Sequence, residues 1–148
     1  MRVALADARV PRDADVSIAF VSDDEMRALN ARHRARDRVT DVLSFGAALP
    51  HGVRGAEAVA HLERAVDGSV EVGDIVIAPE QARRQARRRR WSFREEVAFL
   101  AAHGALHLVG YEDESLAGYR EMRRLGLSAV RQAQKILRRA RRHKRAEH

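Results

Sequence analysis

The apolar positions of this chain fall into two periods. Residues 1–10 alternate weakly, with Val3 and Leu5 on one side, and predict an edge strand that Pro11-Arg12-Asp13 ends. Val16-Ser17-Ile18-Ala19-Phe20-Val21 predicts a strand with a buried face, Thr40–Phe45 a further strand, and Val70–Ala78, through Gly73-Asp74-Ile75-Val76-Ile77, a buried one. Elsewhere the spacing is helical. Ser22 followed by Glu25 has capping-box spacing and opens a helix that carries Met26, Leu29 and Asn30 into His33-Arg34. Residues 46–70 read as a loop with a short helix near Ala56–Ala65. Pro79 suits the first turn of an arginine-rich helix, with Arg83, Arg84 and Arg87–Arg90. Ser92 and Glu95 form a second capping box, and the helix they open has Val97, Leu100 and Ala101 as core positions. Asp113–Ser115 starts a last helix, apolar at Leu116, Tyr119, Met122, Val130, Ile136 and Leu137, which is expected to fray into Arg138–Arg145. Strands come first and helices mostly follow. The expected class is α+β, a small mixed sheet of about four strands covered by helices.

Composition narrows this picture. A chain of 148 residues with 45% apolar content suits one domain with a real core. There is no cysteine, so a metal site must be built from His, Asp or Glu. No stretch approaches a membrane span or a signal core, which predicts a cytoplasmic protein with no membrane association. The net charge of +7 lies wholly in residues 131–148, which carry eight Lys/Arg against one acid. Such a tail is either a phosphate-binding arm or a solvated, solubilising helix end.

The chemistry concentrates in His103-Gly104-Ala105-Leu106-His107-Leu108-Val109-Gly110-Tyr111-Glu112-Asp113. Histidines four apart lie one turn apart on one helix face. Gly110 tolerates the left-handed backbone that ends helices, and a carboxylate returns at Asp113. A rigid pair of imidazoles with a third ligand after a glycine turn is one way to build a metal site. The plainer alternative is two core histidines and a helix cap. Glu96, Leu100, His103 and His107 share one stripe, so Glu96 either orients His103 from behind or faces solvent.

These residues resemble the signature of the YbeY family, metal-dependent endoribonucleases that act in ribosomal RNA maturation. His103, Gly104, Leu106, His107, Leu108, Gly110 and Tyr111 match it, with Glu112 standing for Asp and Asp113 for the family's third metal-binding histidine. A second motif is similar too: Asn30, Arg34, Asp37 and all of Thr40–Phe45 match, while His33 replaces a tyrosine and Ala35 a glycine. The resemblance covers residues about 16 to 125. The family usually has a longer helical stretch before the Val16 strand, and its absence here predicts a sheet less covered in part.

The resemblance implies one catalytic domain over residues 1–137 and a basic tail over 138–148. It implies a single-strand-specific endoribonuclease acting in ribosomal RNA maturation and ribosome quality control, with ribosomal RNA and the small subunit as partners. It implies one divalent metal ion, zinc for preference, held by His103, His107 and Asp113, with Arg34 as the catalytic arginine. Arg36 and Arg38 in the basic loop, and Arg138, Arg139, Arg141 and Arg142 in the tail, are expected to contact RNA. Glu112, Glu114 or a capping role for Asp113 are the alternatives for the third ligand.

Two rival functions follow from the same residues. His-x-x-x-His-x-x-Gly-x-x-Asp has the ligand spacing of metallopeptidases, but those need a glutamate directly after the first histidine, and Gly104 stands there. An RNA- or ribosome-binding protein with a degenerate metal site would also explain the motifs and the altered third ligand.

Overall fold

The computed structural model describes residues 13–146. Its strands are β1 (Ala14–Phe20), β2 (Val42–Gly46) and β3 (Val70–Ile77), in the order β1-β3-β2. β1 is parallel and β2 antiparallel to β3, so the sheet is mixed. The described residues thus hold three strands where about four were expected; the edge strand anticipated over residues 1–10 lies outside them. The helices are α1 (Asp23–Arg34), α2 (Ala56–Ala60), α3 (Pro79–Arg89), α4 (Phe93–Leu108) and α5 (Leu116–Ala146).

β3 is central and apolar on both faces, as its flanking layers require. Ile75 and Ile77 join the core under α4, while Val76 joins Met26, Leu43 and Ala78 under α1. Gly104 lets α4 approach the sheet: a Cβ there would lie 3.0 Å from both Ile75 and Ser44, and the Ser44 hydroxyl donates to the Gly104 carbonyl at 3.1 Å. On its other side α4 meets α5, where Gly126 sits against the Phe99 ring. A helix covered by a sheet and another helix is apolar around most of its girth. Accordingly Leu100, Ala101, Ala102, Ala105 and Leu106 are all buried.

Both capping boxes form. Ser22 and Glu25, and Ser92 and Glu95, exchange side-chain and backbone hydrogen bonds as their spacing demands. Two expectations change. The strand over residues 16–21 lacks its buried face: Val16 is half-buried, but Ile18 and Phe20 are 38% and 57% exposed. They lie in register with Ile75 and Ile77, while α4 packs on β2 and β3. The alternation marks the correct face, and among the described residues the covering layer stops short of it. The last helix also does not fray at Arg138 but runs on to Ala146. No helix among the described residues is long and apolar enough to cross a membrane.

Candidate metal centre

The end of α4 is a Schellman turn. The Tyr111 N–H donates to the Leu106 carbonyl at 3.0 Å and the Gly110 N–H to the His107 carbonyl at 3.1 Å, with Gly110 left-handed at φ 92°. A Cβ at Gly110 would lie 2.1 Å from the Val53 carbonyl oxygen, so the position needs glycine twice over. The turn also orients an imidazole. The Tyr111 carbonyl accepts from Nδ1 of His107 at 3.1 Å, which places the proton on Nδ1 and leaves the Nε2 lone pair facing the cavity.

Nε2 of His107 is 3.1 Å from Nε2 of His103, and Oδ2 of Asp113 is 3.3 Å and 3.5 Å from the two nitrogens. Among the described residues this is the one group of three ligand-capable side chains close enough to share a cation. Three donors each about 2.1 Å from a tetrahedral zinc would stand about 3.4 Å apart, so the observed triangle fits without rearrangement. Burial holds the His103 pKa below its ordinary value; the neighbouring His107 adds to this, and Asp113 opposes it. The imidazole is therefore neutral near pH 7, the form a metal requires.

Of the carboxylates that follow Gly110, Glu112 is engaged by its neighbours. The Glu112 carboxylate accepts from the Glu114 N–H at 2.7 Å, the Ser115 N–H at 3.0 Å and the Ser115 hydroxyl at 2.6 Å. Ser115 in turn accepts from the Gly118 N–H at 3.0 Å. Glu112 and Ser115 thus cap α5, Glu112 is committed there, and Asp113 turns toward the histidines.

Arg34 reaches the same cavity from the end of α1. The cavity encloses about 260 Å³ and is lined by Arg34, Asp41, His103, His107 and Asp113 among others. Asn30, buried below the loop, donates from Nδ2 to the Arg38 carbonyl at 2.8 Å, and its backbone carbonyl accepts from the Arg36 N–H at 3.3 Å. Arg27 adds a two-pronged ion pair to Asp37 at 2.8 Å and 3.1 Å. Arg36 and Arg38 are exposed on this loop and do not line the cavity. Arg138, Arg139, Arg141 and Arg142 are likewise exposed, on the far half of α5 and away from it.

Glu96 does neither of the things its stripe suggested. It is fully buried, it does not hydrogen-bond His103, and its Oε1 lies 3.4 Å from a guanidinium nitrogen of Arg89. Burial raises its pKa, Arg89 opposes the shift, and Asp41 reinforces it. Arg89 itself lines the cavity, as do Asp41 and Arg123; the sequence offered Arg89 only within an arginine run that is usually a solvated face but could hold phosphates beside a nuclease site, and did not offer Asp41 or Arg123 for the site. Arg89 was one arginine in a run of four, and only the turn that follows α3 distinguishes it.

An α+β domain in which two imidazoles and a carboxylate converge in an arginine-rimmed cavity has the kind of site found in metal-dependent hydrolases. A family model described as Endoribonuclease YbeY matches residues 1–134, and the chain belongs to that family. The endoribonuclease YbeY of Desulforamulus reducens is 45% identical over 112 residues, 76% of this chain and 67% of that protein. The endoribonuclease YbeY of Geobacillus thermodenitrificans is 36% identical over 124 residues, covering 78% of this chain and 70% of that one. A solution structure from Thermotoga maritima shares the fold with a TM-score of 0.54 at 24% identity, over 89% of this chain and 77% of that one.

Proposed function

We propose that this chain is a metal-dependent endoribonuclease that cuts single-stranded RNA in ribosomal RNA maturation and ribosome quality control. The observation that carries the reading is the convergence of His103, His107 and Asp113 within 3.5 Å in the cavity that Arg34 also lines. His103, His107 and Asp113 would hold one divalent ion, with zinc favoured by the donor set. When bound, such an ion withdraws charge from a phosphoryl oxygen and lowers the pKa of a bound water toward neutrality.

The protein's own groups supply the rest. Arg34 presents a planar fork that binds a phosphate through two hydrogen bonds and stabilises charge that develops on it during cleavage. The Asn30 anchor keeps that fork at the cavity. The Tyr111 carbonyl keeps the His107 lone pair directed inward. Gly104 argues against a peptidase on structural grounds: a glutamate there would have to enter the space between α4 and the sheet. Arg36, Arg38 and the tail residues Arg138, Arg139, Arg141 and Arg142 add affinity for the RNA backbone without reading sequence. The ribosomal small subunit is the proposed setting, and the cytoplasm the proposed compartment.

Turnover of a single-stranded RNA oligonucleotide with and without chelator tests the reading. Cleavage that chelator abolishes and zinc restores supports it. Tight binding with no cleavage under any divalent ion would instead support a binding protein with a degenerate site.

A further inference from the structure

We infer that Arg89 is a second phosphate-binding residue of this cavity, held in position by the buried carboxylate of Glu96. The inference rests on the endoribonuclease reading for the kind of ligand, an RNA phosphodiester next to the one Arg34 holds. Three observations carry it.

The first is placement. Arg89 lines the cavity that contains His103, His107, Asp113 and Arg34. The same cavity opens into a wider groove along the end of α4, with which it shares Arg34, Ser44 and His107. Arg34 therefore stands at the junction, and Arg89 lines only the inner cavity. A strand laid through the groove past Arg34 and His107 would continue into the cavity that Arg89 lines.

The second is construction. A fully buried carboxylate is costly unless paired, and Glu96 has Arg89 as its ion-pair partner. The guanidinium also lies over the Trp91 ring at 5.2 Å and the Phe99 ring at 5.3 Å. Its side chain is nevertheless 38% exposed. An arginine has five donors, and one long contact to Glu96 leaves the others for an anion. Pairing to a buried acid and packing on aromatic rings reduce the ordering that anion binding would otherwise cost.

The third is the turn beside it. α3 ends with Arg90 in the left-handed region at φ 57°, a conformation that costs a residue other than glycine about 1 kcal/mol or more. The Trp91 N–H closes on the Ala86 carbonyl at 2.9 Å. The chain accepts this strain in the turn that sets Arg89 and Trp91 side by side, and such strain concentrates at functional sites.

The test is binding, measured by fluorescence anisotropy with a 2′-O-methyl single-stranded oligonucleotide across a salt series. Arg89→Gln should weaken binding about tenfold and flatten the slope of log K against log salt by about 0.7, the value for one phosphate contact on a single strand. Arg64→Gln, at the opposite end of β3 from Asp41, removes the same charge and should leave the slope unchanged. Glu96→Gln should also weaken binding, by about threefold, although removing an acid near an anion would strengthen it on simple electrostatic grounds. The double variant should be no weaker than Arg89→Gln alone, because Glu96 acts through Arg89. Arg89→Lys, which keeps the charge and the fold but loses the fork, should keep the slope and lose part of the affinity. An unchanged slope in Arg89→Gln, or tighter binding in Glu96→Gln, overturns the inference, as does a wild type that fails to bind. A wild type that binds as expected but cleaves no RNA would refute the nuclease reading and leave this subsite standing.

Discussion

The imidazoles and the arginine reach one cavity from two helix ends that are made differently. α4 ends on Gly110, at a left-handed angle that glycine adopts without penalty, and two backbone hydrogen bonds and the Val53 carbonyl close around it. α1 ends on Ala35, left-handed at φ 53°, where the same geometry costs a side-chain-bearing residue about 1 kcal/mol. In the proposed function the histidine side is the more demanding one, because three metal donors would have to meet within tenths of an ångström of a set spacing. On the same reading the arginine side would tolerate strain and exposure, because a long side chain could reach a phosphate from several backbone positions while Asn30 keeps the loop in range.

The largest effect should come from breaking the rigid side. Gly110→Ala meets both the positive φ and the Val53 oxygen, and should cost about 3 kcal/mol, a fall in Tm of about 10 °C. A melting curve within 2 °C of wild type would mean that the turn relaxes freely and is not the frame proposed here. Asp113→Asn comes next. Metal affinity should fall at least about tenfold, because an amide is a poor ligand, while α5 keeps its start because Glu112 and Ser115 cap it. Isothermal titration with zinc beside a melting curve separates the two effects, and an unchanged affinity would remove Asp113 from the site.

On the arginine side the effect should fall on turnover alone. Arg34→Ala should lower RNA cleavage at least about tenfold while Tm stays within a few degrees, since the side chain is exposed. Undiminished cleavage would leave the loop without a catalytic role. The smallest change sharpens the contrast: Ala35→Gly should stabilise the protein by at most about 1 kcal/mol, relief of strain being partly offset by the freer unfolded chain. Destabilisation by chemical denaturation would show that the left-handed angle at Ala35 carries no strain.

What the sequence disclosed follows from how local each feature is. Both capping boxes and the turn after His107 were legible, because Ser22, Ser92 and Gly110 act within a few residues of themselves. The pairing of Glu96 with Arg89 was not, because the two sit on different helices and the turn between them places Arg90, not a glycine, in the left-handed region. The alternation of β1 marked a face but carried no information on whether another layer covers it, so the exposure of Ile18 and Phe20 was invisible. Asp113 was the ligand the sequence favoured, with Glu112 as an alternative; that Ser115 engages Glu112 was not legible, because both carboxylates follow Gly110 closely and only the fold shows that contact.

The most direct measurement of the central claim is elemental analysis of the purified protein beside the His103→Ala/His107→Ala variant. About one divalent ion per chain in the wild type, and none above background in the folded variant, is the predicted result. Equal metal content in the two proteins would contradict it.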